Sequence, residues 1–456
     1  MADVLHSVGL DVGTTTTQMI LSELTVENRA SGFAVPDMQI TQRKIRYKSP
    51  VIFTPLHGEI VDGKAIRDWM KDQYRQAGID RDTVDTGAII ITGETSRKEN
   101  AAAVLEELSG FAGDFVVATA GPHLESVLAA RGAGADTWSS RTGQTVLHMD
   151  IGGGTSNLAL IENGKITTTG CLNVGGRLLK MDKAGRIIYL SPVLAGICDL
   201  QLGDTPTQQQ LTRLCDTLTQ ALEMAAGLRP RTQLLDKLST VEAGTPFCHT
   251  GGAVISFSGG VADCIEKAQD TNIFGDIGPL LGQAIRRSRL CQGSYRLGVE
   301  TIRATVIGAG CHSAKLSGST VFYRGIRLPV KNLPVVPFTE AEQDSADLPR
   351  LIASRLAVQD AQTVVLAMPG YRAPSHVQVK KLAERIAAGT AGKAVLICLE
   401  QDMAKALGHS LCLLLPVHTP CLCIDRLRLT QGSYLDVGTP VGPALPVVIK
   451  TLILSQ

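Results

Sequence analysis

The sequence predicts an α/β fold of two similar lobes facing each other across a cleft, followed by a further α/β region. Three observations predict it. A strand–turn–strand unit, "LDVGTTTTQMILSEL" (Leu10 to Leu24), returns as "MDIGGGTSNLALIENGK" (Met149 to Lys165). A strand–glycine–helix corner, "AVISFSGGVADCIEKAQD" (Ala253 to Asp270), follows the second unit. The last third then alternates apolar strand patterns with a helical one.

Composition sets the bounds. The 456 residues are 44% apolar and 19% charged, which suits two or three packed domains and argues against disorder. Lys plus Arg is 44 and Asp plus Glu is 43, so no net field draws in nucleic acid or an anionic membrane. Aromatic residues, at 4%, are too few for base-stacking surfaces. The start "MADVLHSVGLDV" lacks the pattern of a signal peptide, and the run near "LCLLLPV" is far shorter than the roughly 20 residues that span a bilayer. A soluble, cytoplasmic protein is expected. Eleven cysteines show no Cys-x-x-Cys spacing and read as small buried hydrophobes. In "TPCLCIDRLRL", Cys421 and Cys423 are expected on one packed face of a strand.

The repeat comes first along the chain. With Asp11 laid over Asp150, Val12 meets Ile151, Gly13 meets Gly152, Thr16 meets Thr155, Gln18 meets Asn157, Leu21 meets Leu160 and Glu23 meets Glu162. Each copy is an apolar strand ending in Asp, a Gly/Thr turn and a second strand. Neither opens a helix, which separates both from a Walker loop and from a Rossmann fingerprint. Two such hairpins imply two similar lobes.

Between them, "TAGPHLESVLAARGAGA" (Thr119 to Ala135) reads as a helix with Pro122 near its start, where proline is tolerated. A polar, largely helical stretch runs from about Arg177 to Pro246. "TIRATVIGAGCHSAKLSG" (Thr301 to Gly318) reads as a helix whose small residues permit close packing. Later, "QTVVLAMPG" and "KAVLICLE" read as buried strands with the helix "HVQVKKLAERIAAG" between them, and "GSYLDVGTPVGPALPVVIKTLIL" as closing strands. The expected division is a first lobe over 1–145, a second over 146–320 with a helical insertion at 177–246, and a C-terminal α/β region over 321–456.

The chemistry follows from the turns. Gly152, Gly153 and Gly154, like Gly13, let backbone approach phosphate oxygens without a Cβ in the way. Thr14, Thr15, Thr16 and Thr155 carry hydroxyls that can donate to phosphate. Asp11 and Asp150 cannot face phosphates without a cation between, and Mg²⁺ accepts one or two carboxylates together with phosphate oxygens. The Gly259-Gly260 corner puts a helix N-terminus and backbone N–H groups at one point, against the nucleoside. His148 alternates with Asp150 along its strand and is read as packing rather than catalytic. Arg43, Lys44, Arg46 and Lys48 have strand-like spacing and are expected on a solvated face.

At this point "GLDVGTTTTQMIL", "TAGPHLESVLAA", "LHMDIGGGTSNLAL", "VISFSGGVADCI" and "TVIGAGCHSA" resemble the two phosphate, the adenosine and the two connecting segments of the actin/Hsp70/sugar-kinase ATPase superfamily. They span about two thirds of the chain and imply two ribonuclease-H-like lobes with ATP and Mg²⁺ in the cleft. Over nearly the whole chain, "TGAIIITGETSRKENAAAVLEELSGFAGDFVVATAGPHLESVLAARGAGA", "LCIDRLRLTQGSYLDVGTPVGPALPVVIKTLIL" and "KALGHSL" resemble the ethanolamine ammonia-lyase reactivating factors of ethanolamine utilisation. That resemblance implies an ATP-dependent chaperone of one adenosylcobalamin enzyme. Such a factor lets damaged cobalamin leave the lyase so that free, intact adenosylcobalamin can enter. It also connects the chain with the ethanolamine bacterial microcompartment, on which the sequence by itself is silent. The Asp-x-His-x-x-Gly pattern of many cobalamin-binding domains is absent, so the coenzyme is expected to be held by the lyase.

One departure bears on mechanism. Many members of the superfamily carry Glu or Gln before the proline of the first connecting segment, where it orients the attacking water. This chain has Ala120-Gly121-Pro122. Glu94 of "TGETSRKEN", or Glu125, is the substitute; otherwise Asp11 and Asp150 act through magnesium-bound water, and slow turnover is expected. The alternatives are a small-molecule kinase of the same fold, a filament-forming protein, and an activator of radical dehydratases with a bridging iron–sulfur cluster. The scattered cysteines argue against the last.

Overall fold

A computed structural model describes residues 3–13, 16–28, 38–57, 60–92, 104, 108, 116–119, 122–240, 252–267, 275–312, 314–317, 320–357, 363–390, 393–429, 433–440 and 444–451. In its first part, strands β1 (Asp3–Val12), β2 (Thr16–Asn28), β3 (Met38–Lys48), β4 (Ile52–Phe53), β5 (Leu56–His57) and β6 (Ile60–Val61) precede helix α1 (Gly63–Ala77) and strands β7 (Thr86–Ile91) and β8 (Val116–Thr119). The sheet order is β3-β2-β1-β7-β8, with β4 added beside β2. The first three strands pair antiparallel, and β1, β7 and β8 pair parallel. Helix α1 is bounded by chemistry: Asp62 caps its first turn through Ala65 N–H, and Gly78 ends it at φ 66°.

Helices α2 (Pro122–Gly132) and α3 (Ala135–Thr142) lead into β9 (Val146–Ile151), β10 (Ser156–Glu162), β11 (Lys165–Leu172), β12 (Leu179–Met181) and β13 (Ile187–Leu190). Then come α4 (Gln208–Ala225), α5 (Gln233–Leu238), β14 (Val254–Ser258), α6 (Asp263–Glu266), α7 (Gly278–Arg287), β15 (Tyr295–Leu297) and α8 (Ala304–His312). The second sheet runs β11-β10-β9-β14-β15. Its directions repeat those of the first: two antiparallel steps, then two parallel ones. Both sheets therefore have the ribonuclease-H-like strand order. The 177–246 stretch contributes the strand pair β12–β13 as well as helices. Its long helix α4 opens with a capping box between Thr207 and Gln210.

Alternation along the central strands decides which side chains meet. In β1, Val8, Leu10 and Val12 are buried against Ile66 and Met70 of α1. Ser7, Gly9 and Asp11 take the other face. In β9, Leu147, Met149 and Ile151 join the core built with α4 and α7, and Val146 packs with Ala130 and Ala135 of α2 and α3. His148 and Asp150 share the face of Val146. The inner faces of the two sheets thus turn toward α2 and α8.

These two helices cross at glycine. A Cβ on Gly308 would lie 2.0 Å from Leu128 O, and one on Gly132 would lie 1.8 Å from Ala304 O. Helix α8 also docks on β1, where Ser7 Oγ donates to Gly310 O at 2.5 Å. The small residues expected to allow close packing in this helix do so against α2 and β1.

The C-terminal part forms an eight-stranded sheet of order β16-β23-β22-β18-β19-β20-β21-β17. Its strands are β16 (Ala314–Leu316), β17 (Phe322–Arg324), β18 (Val330–Pro337), β19 (Val365–Met368), β20 (Val395–Leu399), β21 (Cys421–Ile424), β22 (Ser433–Val437) and β23 (Pro446–Thr451). Strands β18 to β21 are parallel, as βαβ crossovers through α10 (Leu348–Ala357), α11 (His376–Thr390) and α12 (Ala404–Leu414) require, and the short α9 (Glu340–Asp344) precedes them. Cys421 and Cys423 lie on one buried face, as alternation predicts. Arg43, Lys44, Arg46 and Lys48 are exposed along β3, where Arg46 pairs with Glu23 and Lys48 with Glu300.

Candidate functional site

The two hairpins close in the same way. Gly13 N–H donates to Thr16 O at 2.9 Å, and Gly152 N–H donates to Thr155 O at 2.9 Å. Asp11 stands opposite Gln18 across the first hairpin, and Asp150 opposite Asn157 across the second. The correspondence read from the sequence is a correspondence of register.

Both aspartates are buried, each 8% exposed. Each receives a hydroxyl from the neighbouring parallel strand or its end. Thr92 Oγ1 donates to Asp11 Oδ1 at 2.9 Å, and Ser258 Oγ donates to Asp150 Oδ1 at 2.5 Å. Thr305 Oγ1, in α8, adds a longer 3.4 Å contact to Asp150 Oδ2. Burial pushes the Asp11 carboxyl up to about 7; the bonds from Thr92 and Gln18 oppose this, and the charge of Asp150 adds to it. Burial pushes Asp150 up to about 6, against the bonds from Ser258 and Thr305. Two carboxyls held in this way favour a cation beside them.

His148 is fully buried and joins this network. Its Nε2 lies 2.9 Å from Ser258 Oγ and its Nδ1 lies 3.1 Å from Ser256 Oγ. Ser258 has one hydrogen and gives it to Asp150, so it accepts from Nε2–H, and Nδ1 accepts from Ser256. Burial, assisted by the charge of Arg296, lowers the imidazole to about 3, which keeps it neutral. His148 packs, and it also fixes the serine that holds Asp150. Alternation placed it on the face of Asp150, but the two serines come from a strand far along the chain.

The amides opposite the aspartates were aligned in the sequence without a role. Gln18 Nε2 donates to Ile302 O at 2.9 Å and Asn157 Nδ2 to Glu125 Oε2 at 3.3 Å. Their carbonyl oxygens, Gln18 Oε1 and Asn157 Oδ1, are buried with no hydrogen-bond donor among the described residues. Two carboxylates and two orphaned oxygens on the inner faces make an oxygen-only donor set. Among the described residues, no group of three or more His, Cys, Asp and Glu side chains is placed to hold a metal on its own.

The turn backbones are braced from outside. Thr54 Oγ1 donates to Gly13 O at 2.7 Å. Gly176 and Arg177 N–H groups donate to Gly152 O and Gly153 O at 3.0 and 2.6 Å. The glycine corner lies directly beyond the second hairpin, where Val261 N–H donates to Ile151 O at 3.2 Å. At Gly259, φ is +87° and a Cβ would lie 2.3 Å from Ile151 O, so only glycine fits. Gly260 beside it is exposed, and the helix that follows is the short Asp263–Glu266 turn.

Of the residues singled out from the sequence, Asp11, Gly13, Thr16, Asp150, Gly152, Gly153, Gly154, Thr155, Gly259 and Gly260 lie at these two turns and the corner. Thr14, Thr15, Glu94 and Gly121 lie outside the described residues. Glu125 is described, on α2, buried and bonded to Asn157. Sequence reading passed over Thr92, Ser258 and Arg177.

A pair of ribonuclease-H-like lobes, with matched Asp-bearing hairpins on their inner faces and crossed connecting helices between, defines the actin/Hsp70-like fold class. The family model described as "Ethanolamine utilisation protein EutA" matches residues 3–455, and the chain belongs to that family. Among curated relatives, "Ethanolamine ammonia-lyase reactivase EutA" of Escherichia coli (strain K12) is 40% identical over 472 residues, covering 98% of each chain. The protein of the same name from Salmonella typhimurium is 41% identical over 477 residues, again with 98% of each chain covered. Among solved structures, the ethanolamine utilization protein EutJ from Carboxydothermus hydrogenoformans matches 67% of this chain and 88% of its own at 17% identity, with a TM-score of 0.33. No helix among the described residues is long and apolar enough to cross a membrane.

Proposed function

We propose that this chain is an ATP-dependent reactivating chaperone of ethanolamine ammonia-lyase, the activity named in its two curated relatives. It binds a lyase whose cobalamin has lost its adenosyl group, lets the damaged cobalamin leave, and so allows free adenosylcobalamin to enter. The observation that carries the nucleotide part is the pairing of Asp11 and Asp150 on facing hairpins, with the charge of one raising the pKa of the other.

The residues fit Mg²⁺. Asp11 and Asp150 would hold the ion, directly or through waters accepted by Gln18 Oε1 and Asn157 Oδ1, and the remaining sites would go to phosphate oxygens. When bound, the ion neutralises phosphate charge and lowers the pKa of a water in its shell. The chain's own groups do the rest. Backbone N–H groups around Gly13 and Gly152–Gly154 take phosphate oxygens, and the hydroxyls of Thr14, Thr15, Thr16 and Thr155 add donors. Gly259 and Gly260 leave room for the nucleoside. Hydrogen bonds from Thr92 and Ser258 favour the ionised carboxylates against the burial that raises their pKa. Glu94 is our candidate for orienting water in place of the missing residue at 121.

Coupling comes from differential binding. A lyase that prefers one lobe arrangement is moved between two states when nucleotide is exchanged. Taking such an equilibrium from 1:99 to 99:1 needs about 5.5 kcal/mol, which nucleotide turnover can supply. The 177–246 stretch and the C-terminal sheet, which are additions to the paired lobes, are the proposed contact regions for the lyase. The match over the full length of the reactivases leaves the kinase alternative unfavoured. The test adds purified protein, ATP, Mg²⁺ and free adenosylcobalamin to cyanocobalamin-blocked lyase. Recovered deamination that depends on all three additions is expected; lyase that stays blocked refutes the proposal.

A further inference from the structure

The two hairpins carry no cation of their own. Residues 9–18 and 148–157 contain no Lys or Arg, yet they present two buried carboxylates where a nucleoside triphosphate would bring further negative charge. A divalent ion offsets only part of that charge, so a basic side chain is needed from elsewhere.

Arg177 stands at the right place. Its backbone N–H donates to Gly153 O at 2.6 Å, immediately behind the second turn. Its Nε donates at 3.0 Å to Asp276 Oδ2, a carboxylate only 4% exposed. Asp276 is itself fixed, since its Oδ1 accepts from Gly278 N–H at 2.9 Å. On its other side, the guanidinium carbon lies 5.6 Å from the ring centre of Phe53. Phe53 belongs to the first lobe: it pairs with Thr16 of the first hairpin, and the next residue, Thr54, braces Gly13 O. One side chain therefore reaches from the backing of one turn to the backing of the other.

Two contacts, to Asp276 and to the Phe53 ring, hold this guanidinium, and its two Nη groups still have no hydrogen-bond partner among the described residues. A plain surface ion pair explains the bond to Asp276. It does not explain why the fork is stacked on an aromatic ring of the opposite lobe with four N–H bonds to spare. Arginine presents such N–H groups in a planar fork that matches phosphate oxygens.

We propose that Arg177 is a phosphate-contacting residue of the cleft. Its Nη groups take an oxygen of the terminal phosphoryl group of a bound nucleoside triphosphate, or the inorganic phosphate that remains after cleavage. Asp276 and Phe53 hold the fork in position. This rests on the cleft being a nucleotide site and adds the residue that tells triphosphate from diphosphate.

The test is calorimetry of a non-hydrolysable ATP analogue and of ADP, each with Mg²⁺, on wild type, Arg177→Ala, Arg177→Lys and Phe53→Ala. A second arm titrates inorganic phosphate into the ADP-bound proteins. A hydrogen bond to a charged group contributes about 1.5–3 kcal/mol, so Arg177→Ala should weaken the triphosphate about 10- to 100-fold and ADP less than about twofold. Arg177→Lys should recover part of the loss, because it keeps the charge and loses the fork. Phe53→Ala, at a side chain 76% exposed and so without a folding cost, should show a smaller loss of the same kind. Weakened phosphate binding in the second arm would assign the contact to the released ion as well; unchanged phosphate binding would confine it to the triphosphate. Unchanged triphosphate affinity in Arg177→Ala, or an equal loss for both nucleotides, overturns the inference alone. Wild-type protein that binds neither nucleotide overturns the reading of the cleft, and this inference with it.

Discussion

Asp11 and Asp150 occupy equivalent positions in two sheets of the same strand order, and each receives a hydroxyl hydrogen bond from the parallel side, from Thr92 and Ser258 respectively. The charge of Asp150 adds to the burial that raises the pKa of Asp11.

The pair makes stability depend on pH. The folded-state values, about 7 and about 6, lie above the ordinary 3.8, so the native chain binds more protons than the unfolded chain between pH 4 and pH 7. Stability from these two groups is therefore full below about pH 4 and is lost as pH rises through 6 and 7. Each unit of displacement is worth about 1.4 kcal/mol. Asp150→Asn should raise the melting temperature at pH 8 without divalent ions and leave it nearly unchanged at pH 4. Equal shifts at both pH values would contradict the assignment.

Removing Ser258 should act on Asp150 and His148 together. Ser258→Ala takes a donor from the carboxylate and leaves His148 Nε2–H unpaired in a fully buried place. A loss of about 1–3 kcal/mol in denaturant unfolding is expected. The Mg²⁺ concentration needed for half-maximal nucleotide binding should rise as well. Ser258→Thr, which keeps the hydroxyl, should recover much of the metal dependence.

The crossing of α2 and α8 has no room for a side chain. Gly308→Ala places a methyl 2.0 Å from Leu128 O, and backbone cannot yield as a flexible side chain does. Destabilisation of about 1–3 kcal/mol or more is expected from urea unfolding. Gly78→Ala, where nothing lies within 4 Å, meets no neighbour and should cost only what φ 66° imposes.

Much of this was legible in the sequence, for a physical reason. The hairpins are local, so their alternation, their turns and their common spacing are written in consecutive residues, and so is the shared face of His148 and Asp150. Thr92 and Ser258 were not legible, because they arrive through parallel pairing, which joins distant segments without a local pattern. Arg177 was missed for a related reason. Its position is set by Gly153 in the second hairpin, by Asp276 far ahead of it and by Phe53 in the other lobe. The amphipathic helix expected from Val261 onward is instead a single turn, Asp263–Glu266, because Lys267 leaves it in extended backbone at φ −107° and ψ 114°.

Hydrolysis should be slow. Gly121 has no side chain to act on water. A steady-state ATPase rate well below the common range of about 10 per second is expected. Glu94→Gln should lower it further while leaving nucleotide affinity unchanged. A rate of tens per second for the wild type would contradict this.

The most direct test of the central claim is calorimetric titration of ATP in saturating Mg²⁺ into wild type and into the Asp11→Ala/Asp150→Ala protein. Heat from a single site in the wild type, lost in the double variant, is the predicted result. No heat from the wild type, or the same affinity in both proteins, would contradict the account.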